Sequence, residues 1–345
     1  MNFPKTIVLE LTYRCNHKCL FCSCPWENDV DGFPKYEKGT ELDLEQWKQA
    51  LDILAKGGVK NVSISGGEAL LKPELLDVLA YIRKKKVFNK NASIVLISNG
   101  LAMNEAYLAA FKKYNVHLSL SLPGLETFEK HTGHDNAKRV LHWLRRAKEE
   151  GVATTVNVTV TNINYNELYE TIAHGLIAGA DTVLLNRFLV GGRGIRYQDE
   201  LSLTNEQLNG MLDTAETVLT KSKRWGAVGT EYPLCIISKG KEHYKRLAIG
   251  TLCAAGTQFF VIDPSGLMSV CNHSPRKVGH IFDKDIISDK EYWARFVNRD
   301  YLPEGCLTCK DIDICDCGCR EAACIVSGAL CALDPCLTSE QVKVF

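Results

Sequence analysis

The sequence has no excess of either charge. Lys and Arg together number 41, as do Asp and Glu, so the formal net charge is zero. A chain without a basic excess has no long-range attraction for a polyanion, and we expect no nucleic-acid partner. The sequence also lacks an apolar run that could span a bilayer and a signal peptide at its start. We therefore expect a cytoplasmic protein with no membrane partner.

Cysteine is absent from residues 25–234, although the chain contains 15 cysteines. Disulfides are rare in a reducing compartment and the number is odd, so we expect thiolates that bind metals. This cysteine-free stretch forms a scaffold between a short cysteine-containing segment near the start of the chain and a cysteine-dense tail. We place the boundary between two domains near residue 225, which gives domains of 1–225 and 226–345.

The cysteine-free scaffold alternates apolar strands with amphipathic helices, which indicates an α/β fold with a parallel sheet covered by helices. The predicted strands are 6–12, 59–65, 92–98, 116–122, 152–160 and 181–190. The predicted helices that follow them are 43–56, 73–87, 105–114, 136–150, 165–178 and 204–221. Six such units predict an open doubly wound sheet or an incomplete barrel, with ligands beyond the carboxyl ends of the strands.

Three cysteines, Cys15, Cys19 and Cys22, lie on one short loop directly after the first predicted strand. Three thiolates can bind three irons of a [4Fe–4S] cluster, and the fourth iron then has a coordination position open to a small molecule. The alternative is a zinc site with His17 as the fourth ligand. We disfavour zinc because structural sites usually combine two separated cysteine pairs. An electron carrier or iron–sulfur sensor would have no use for an open iron, so the loop favours catalysis.

The spacing Cys15-x3-Cys19-x2-Cys22, with Phe21 before the third cysteine, resembles the signature of the radical S-adenosylmethionine (SAM) enzymes. The resemblance implies a partial (β/α)6 barrel similar to a TIM barrel, and a cluster whose open iron binds the methionyl group of SAM. It implies that one electron cleaves SAM and that the resulting 5′-deoxyadenosyl radical abstracts a hydrogen atom from the substrate. It also implies a flavodoxin- or ferredoxin-type electron donor.

Further residues match positions at which radical SAM enzymes contact the cofactor. Gly66-Gly67-Glu68 follows the second predicted strand and resembles the family's motif for the methionyl amino group, since glycine lets a ligand approach the backbone. For the candidates on the third to sixth strands, a structural role is an equally good interpretation. The cofactor-binding candidates implied by the resemblance are Phe21, Gly66, Gly67, Glu68, Ser98, Asn99, Ser121, Asn157 and Arg187.

The C-terminal cysteines resemble the SPASM domain, an extension that binds two auxiliary [4Fe–4S] clusters in addition to the SAM-binding one. Their order is Cys253-x12-Gly266-x4-Cys271, then Cys306-x2-Cys309-x5-Cys315-x3-Cys319, then Cys336. The resemblance assigns the distal cluster to Cys306, Cys309, Cys315 and Cys336. It assigns the proximal cluster to Cys253, Cys271 and Cys319. Within this region, FFVIDPSGLMSVC predicts a β-hairpin with a Pro-Ser-Gly turn.

The fourth ligand of the proximal cluster is open. Cys235, Cys317 or Cys324 could supply it, or the site could have an open position. Cys235 has two further interpretations, as a thiol that gives a hydrogen atom to a substrate radical, as in radical epimerases, or as a buried bystander.

Loops 23–41 and 190–203 follow the first and last predicted strands, and we expect them to shape the substrate pocket. The second loop contains Arg193 and Arg196, which could bind a carboxylate or phosphate. Exposure of both arginines to solvent is the favoured interpretation, because arginine side chains are mostly exposed.

Two auxiliary clusters suit the removal of an electron from a substrate radical, so the resemblance implies a net oxidation. The leading hypothesis is a peptide maturase that cross-links or oxidises a ribosomal peptide. The alternatives are dehydrogenation or epimerisation of a small molecule, such as an aminoglycoside-type sugar or cyclitol, and sulfatase-type formylglycine maturation. Because the first predicted strand begins at Thr6, no leader-binding domain fits before it. We therefore expect that a separate leader-peptide-binding protein could serve as a partner.

Overall fold

The strands in the computed structural model, which describes residues 3–85 and 92–338, are short and mostly apolar. Their bounds are β1 (Thr6–Glu10), β2 (Asn61–Ser65), β3 (Ile94–Ser98), β4 (His117–Ser121), β5 (Thr154–Val160), β6 (Thr182–Arg187), β7 (Trp225–Val228), β8 (Leu247–Ile249), β9 (Phe259–Ile262), β10 (Leu267–Ser269) and β11 (Gly279–His280). The six predicted strands are confirmed as β1 to β6, each with slightly narrower bounds.

All of these strands, eleven in the described part of the chain, belong to one sheet with the order β11-β10-β9-β1-β2-β3-β4-β5-β6-β7-β8. Neighbouring strands from β9 through β1 to β8 are parallel. The carboxyl ends of these parallel strands therefore meet at one edge, where ligands bind in α/β folds. The chain has the partial-barrel architecture of the radical SAM resemblance.

Helices alternate with the strands along the chain. They are α1 (Leu44–Lys56), α2 (Leu75–Lys84), α3 (Glu105–Lys113), α4 (Phe128–Thr132), α5 (Ala137–Glu150), α6 (Leu168–Ile177), α7 (Gln198–Leu201), α8 (Asn205–Ser222), α9 (Lys290–Asn298) and α10 (Arg320–Ser327). Of these, α5, α6 and α8 pack against the sheet. All six predicted helices are present, although residues 86–87 of the second lie outside the described residues. None of the described helices is both long and apolar enough to cross a bilayer.

Two helix starts carry a capping box, as the sequence spacing predicts. The Asp43 side chain accepts a hydrogen bond from the Gln46 backbone N–H, and the Gln46 side chain accepts one in return. Thr204 and Gln207 make the same reciprocal pair at the start of α8. These bonds satisfy backbone donors that a helix leaves free at its start.

The predicted hairpin is confirmed as β9 and β10, and the turn between them is closed by a hydrogen bond from Gly266 N to Asp263 O. The hairpin is not separate from the barrel, because β9 pairs in parallel with β1. On the other side, β7 and β8 extend the sheet beyond β6. The sheet therefore continues past residue 225, where the sequence predicts a domain boundary.

Candidate active site

The three N-terminal cysteines face one cavity of about 160 Å³ at the carboxyl ends of the parallel strands. Cys15, Cys19 and Cys22 lie on the loop that leaves β1, and Cys22 N donates a hydrogen bond to Cys19 O at 3.2 Å. All 15 cysteines are described and none is in a disulfide. Three free thiols around one cavity fit the binding of a cluster through three irons.

The glycine motif after β2 holds this loop through the backbone. Gly67 N donates to Thr12 O at 2.8 Å, and Glu68 N donates to Arg14 O at 2.8 Å. A Cβ atom on Gly67 would lie 2.3 Å from Arg14 O, and one on Gly66 would lie 2.7 Å from Thr12 O. No side chain fits there, so the two glycines are required for the close approach of the motif to the cysteine loop.

Glu68 presents a buried, oriented carboxylate at the cavity wall. It is 2% exposed and accepts hydrogen bonds from Ser98 Oγ at 2.8 Å, Asn99 N at 2.8 Å and Leu70 N at 3.1 Å. Burial raises the pKa of Glu68, and the three hydrogen bonds oppose that rise. Glu68 and the adjacent pair Ser98 and Asn99, predicted from two separate segments, thus form one connected group.

The short helix α4 forms a wall of the cavity that the sequence did not reveal. Lys18 N donates to Thr132 O at 3.0 Å and Leu20 N donates to His131 O at 2.8 Å, which fixes the cysteine loop against the helix. Phe128 and Thr132 line the cavity. A helix of five residues gives too short a periodic pattern to be predicted.

His17 lines the cavity together with the three cysteines. Its ring stacks on His134 with a centroid distance of 5.1 Å and meets the edge of Phe128. Burial, together with His134, lowers the pKa of His17 to about 4. In residues 3–85 and 92–338, no three His, Cys, Asp or Glu side chains converge closely enough to hold a single metal ion.

The other cofactor candidates fall into two groups. Phe21 and Ser121 line the cavity with Glu68, as the resemblance implies. Asn157 lies outside the cavity lining, and its amide oxygen accepts a hydrogen bond from Asn186 Nδ2 at 2.9 Å. The buried guanidinium of Arg187 binds the C-terminal Asp334, with Nη2 and Oδ2 at 2.6 Å. The Arg187 side chain therefore binds a residue of the cysteine-dense region.

A pair of buried carboxyl groups lies on the inner side of the sheet and was missed in the sequence. Glu10 ends β1 opposite Ser65, which lines the cavity, and so faces the same side. Asp263 follows β9, the strand next to β1, and accepts hydrogen bonds from Tyr13 Oη at 2.7 Å and Tyr36 Oη at 2.5 Å. Burial raises the pKa of Glu10 well above its usual value, and Asp263 adds to the rise.

The two loops expected to shape the pocket contact each other, and both arginines pair with acids of this chain. Arg193 forms an ion pair with Glu27 and donates to Cys19 O at 3.2 Å. Arg196 pairs with Asp29 at 2.7 Å near the surface. Arg193 thus contacts the backbone of the cysteine loop, and neither guanidinium lies free for a substrate carboxylate.

A second cavity, of about 330 Å³, is lined by the thiol-bearing residues Cys306, Cys309 and Cys315 together with Cys235 and Cys317. The first three are distal-cluster candidates. Burial raises the pKa of Cys235 to about 11, and its neighbours Cys315 and Cys306 add to the rise. Cys235 and Cys317 therefore line the same cavity as three of the distal-cluster candidates.

The three proximal candidates lie close enough to interact electrostatically. Burial raises the pKa of Cys271, and Glu321, Cys319 and Cys253 raise it further. The charge of Glu231 acts on both Cys253 and Cys319, and burial raises the pKa of Glu231 to about 7. A carboxylate, which the sequence gave no reason to single out, thus adjoins the proximal thiols.

The remaining candidate for the fourth proximal ligand, Cys324, has Glu321 as a charged neighbour in common with the proximal candidate Cys271. Burial raises the pKa of Cys324, and the charged groups that act on it next are Glu321, Arg295 and Arg276. Cys324 stays a candidate for the fourth proximal ligand.

Residues 9–174 match the family model of the Radical SAM superfamily. This match covers the cysteine loop, the glycine motif and the strands that carry the cavity. This part of the chain is similar to the radical SAM enzymes.

Similar proteins extend the comparison over nearly the whole chain. This chain is 25% identical to a PqqA peptide cyclase of Granulibacter bethesdensis over 350 residues, which cover 96% of this chain and 86% of the relative. It is 26% identical to a PqqA peptide cyclase of Rhodopseudomonas palustris over 349 residues, with the same two coverages.

Two solved structures share the fold. Streptococcus suis SuiB bound to its precursor peptide SuiA has a TM-score of 0.73 and 16% identity, covering 100% of this chain and 77% of that one. The enzyme anSMEcpe with AdoMet and a Cp18Cys peptide has a TM-score of 0.71 and 18% identity, covering 99% of this chain and 96% of that one. Both resemblances extend through the cysteine-dense region.

Proposed function

We propose that the protein is a maturase that oxidatively modifies a ribosomally made peptide, either by a cross-link or by oxidation of a side chain. The observation that carries the proposal is the single cavity shared by three free thiols, the glycine motif and a buried carboxylate. The peptide substrate is supported by similarity to PqqA peptide cyclases over 96% of the chain.

The residues around the first cavity would hold the cofactors. Cys15, Cys19 and Cys22 would bind the cluster, and the Glu68 carboxylate could accept a hydrogen bond from the amino group of SAM. When bound, the cluster and SAM supply the radical that removes a hydrogen atom from the substrate. Phe128 and its neighbours on α4 would close one side and exclude water from the reacting groups.

The C-terminal cysteines would bind two auxiliary [4Fe–4S] clusters, in the arrangement that the SPASM resemblance implies. They would accept the electron that a net oxidation releases from the substrate. A flavodoxin- or ferredoxin-type protein would supply the electron for SAM cleavage, and a separate protein could present the leader of the peptide.

Anaerobic reconstitution with iron and sulfide, followed by SAM and dithionite, tests the radical chemistry. We expect 5′-deoxyadenosine to form in the wild-type protein and to fall to background in Cys15→Ala. The matched control is Cys331→Ala, because Cys331 is exposed and lines neither cavity. Equal 5′-deoxyadenosine formation by wild type and Cys15→Ala would refute the proposal.

Peptides encoded by short reading frames beside the gene provide the substrate test. Each peptide is incubated with the reconstituted enzyme and analysed by mass spectrometry. We expect one peptide to lose two hydrogen atoms, the mass change of a cross-link or a two-electron oxidation. Uniform deuteration of that peptide should transfer deuterium into 5′-deoxyadenosine. Turnover of a cyclitol or amino sugar, with no reaction of any peptide, would favour the small-molecule alternative.

A further inference from the structure

One buried carboxylate connects both groups of C-terminal thiols. Asp334 is fully buried, and its Oδ2 accepts a hydrogen bond from Cys319 N at 2.6 Å while its Oδ1 accepts one from Cys336 N at 2.9 Å. Cys319 is a proximal-cluster candidate and Cys336 is a distal one. A single side chain therefore fixes the backbone at one ligand of each auxiliary site.

The Asp334 carboxylate also forms an ion pair with a guanidinium of the barrel. Arg187 is the last residue of β6 and is 4% exposed. Its Nη1 and Nη2 donate to the two oxygens of Asp334 at 3.2 and 2.6 Å, which is a bidentate pair. Its Nε and Nη2 also donate to Glu231 O at 3.2 and 3.0 Å. Every nitrogen of this guanidinium thus has an acceptor.

The packing beside the pair leaves no room for a side chain on Gly318. A Cβ atom on Gly318 would lie 2.3 Å from Asp334 Oδ2, and Gly318 has a φ of +87°, where side chains are disfavoured. Gly318 directly precedes Cys319, so the turn that brings this cysteine to the carboxylate depends on a glycine. Buried ion pairs are costly to form, and replacement by apolar groups is often neutral or stabilising. A contribution to stability alone is therefore a weak explanation for the pair.

We propose that Arg187 and Asp334 form a positioning pair that couples the barrel to both auxiliary cluster sites and balances the charge around them. This inference rests on the cluster assignments of the proposed function. A guanidinium near a cluster favours the reduced, more negative state, whereas a carboxylate favours the oxidised state. With both charges present the two effects oppose each other. Removal of either charge therefore shifts the midpoint potentials of the clusters.

The test is a redox titration of the full-length chain reconstituted with iron and sulfide. The background carries Cys15→Ala, Cys19→Ala and Cys22→Ala, so that only C-terminal clusters contribute to the electron paramagnetic resonance signals. We expect Asp334→Asn to raise the midpoint potentials of both clusters and Arg187→Met to lower them. Each shift should reach about tenfold in the reduced-to-oxidised ratio at fixed potential, which is about 59 mV for a one-electron couple.

The double variant Arg187→Met/Asp334→Asn is the matched control, because it removes both charges and should return the potentials toward those of the parent. A purely structural pair predicts shifts of the same sign in the two single variants, or none, and either result overturns the proposal. If a single variant loses iron, we expect both C-terminal signals to disappear together, and loss of only one overturns the proposal. If the parent forms no C-terminal cluster, both this proposal and the assignment of the auxiliary clusters fail. SAM cleavage by the wild-type protein tests the radical chemistry separately.

Discussion

His131 shows how a single side chain behind the cavity contributes to the site. It is fully buried, its ring meets the edge of Phe21 at a centroid distance of 5.6 Å, and its backbone carbonyl accepts the N–H of Leu20. One ring nitrogen, Nε2, lies 2.8 Å from Thr161 Oγ1. Burial lowers the pKa of His131 to about 4. The ring is therefore neutral at pH 7, where it supports the cysteine loop by packing.

We predict that His131 makes the stability of the fold sensitive to acid. Because its pKa is about 6.5 in the unfolded chain and about 4 in the folded one, protonation favours unfolding as the pH falls through this range. At pH 5 this effect amounts to about 2 kcal/mol. Urea unfolding at pH 7 and pH 5 should show a smaller loss of stability in His131→Gln than in the wild type.

The matched control for this prediction is His174→Gln, because His174 is exposed on α6. That variant should retain the acid sensitivity of the wild type. An unchanged difference between pH 7 and pH 5 in His131→Gln would contradict the prediction.

At the scale of elements, the site depends on short segments that hold one another through backbone atoms. The cysteine loop pairs with the glycine motif after β2 and with the end of α4. Backbone hydrogen bonds of this kind need close approach, which in turn depends on the absence of side chains at Gly66 and Gly67. The sequence predicts that the motif and the loop lie near each other. The backbone hydrogen bonds show how the motif holds the loop in place.

Gly67→Ala should displace the cysteine loop. The added methyl group would lie 2.3 Å from Arg14 O, and the loop backbone has to move to relieve the overlap. We expect 5′-deoxyadenosine formation to fall by at least about tenfold, since small misplacements of reacting groups are costly. Gly250→Ala is the control, because a Cβ there would lie 3.6 Å from the nearest atom, Val228 O. Wild-type activity of Gly67→Ala would show that the contact does not position the loop.

The capping box of α1 provides a test of local stability. Asp43→Ala removes the side chain that accepts the Gln46 N–H, and loss of such a cap costs about 1 kcal/mol. Urea unfolding should show a reduction of that size. Gln49→Ala, at an exposed position in the middle of the same helix, should leave the free energy of unfolding nearly unchanged. Equal stability of the two variants would argue against the cap.

At the scale of the whole molecule, the cysteine-dense region is built onto the barrel. β9 extends the sheet at β1, while β7 and β8 extend it at β6. The Arg187–Asp334 pair adds a buried polar connection between the end of β6 and the C-terminal loops. The composition of the chain indicates two regions, but strand pairing joins them into one sheet and an ion pair connects them further.

A chain that ends at residue 225 should therefore fail to fold as a soluble protein. It would expose the edges of β1 and β6, which pair with β9 and β7 in the full-length chain, and unpaired strand edges promote aggregation. We expect most of this shortened chain in the insoluble fraction, whereas the full-length protein expressed in parallel is soluble. A soluble, cooperatively unfolding product would show that residues 1–225 form an independent domain.

The sequence by itself determined the strands β1 to β6, the six longer helices that follow them (α1, α2, α3, α5, α6 and α8) and the residues of the first cavity with a recognisable spacing. These features are local: apolar periodicity selects strand or helix, and the cysteine and glycine motifs lie at fixed distances along the chain. The hairpin and both capping boxes are predictable for the same reason.

Only the tertiary structure decided which distant side chains meet. It shows that Arg187 pairs with Asp334 and that Cys235 and Cys317 line the same cavity as the distal-cluster candidates. It also shows that Glu10 lies near Asp263. Each of these contacts joins residues from separate parts of the chain, and a pattern along one strand does not reveal the partner across a sheet. The continuation of the sheet from β1 to β9 has the same origin, because strand pairing is set by packing and hydrogen bonds between distant segments.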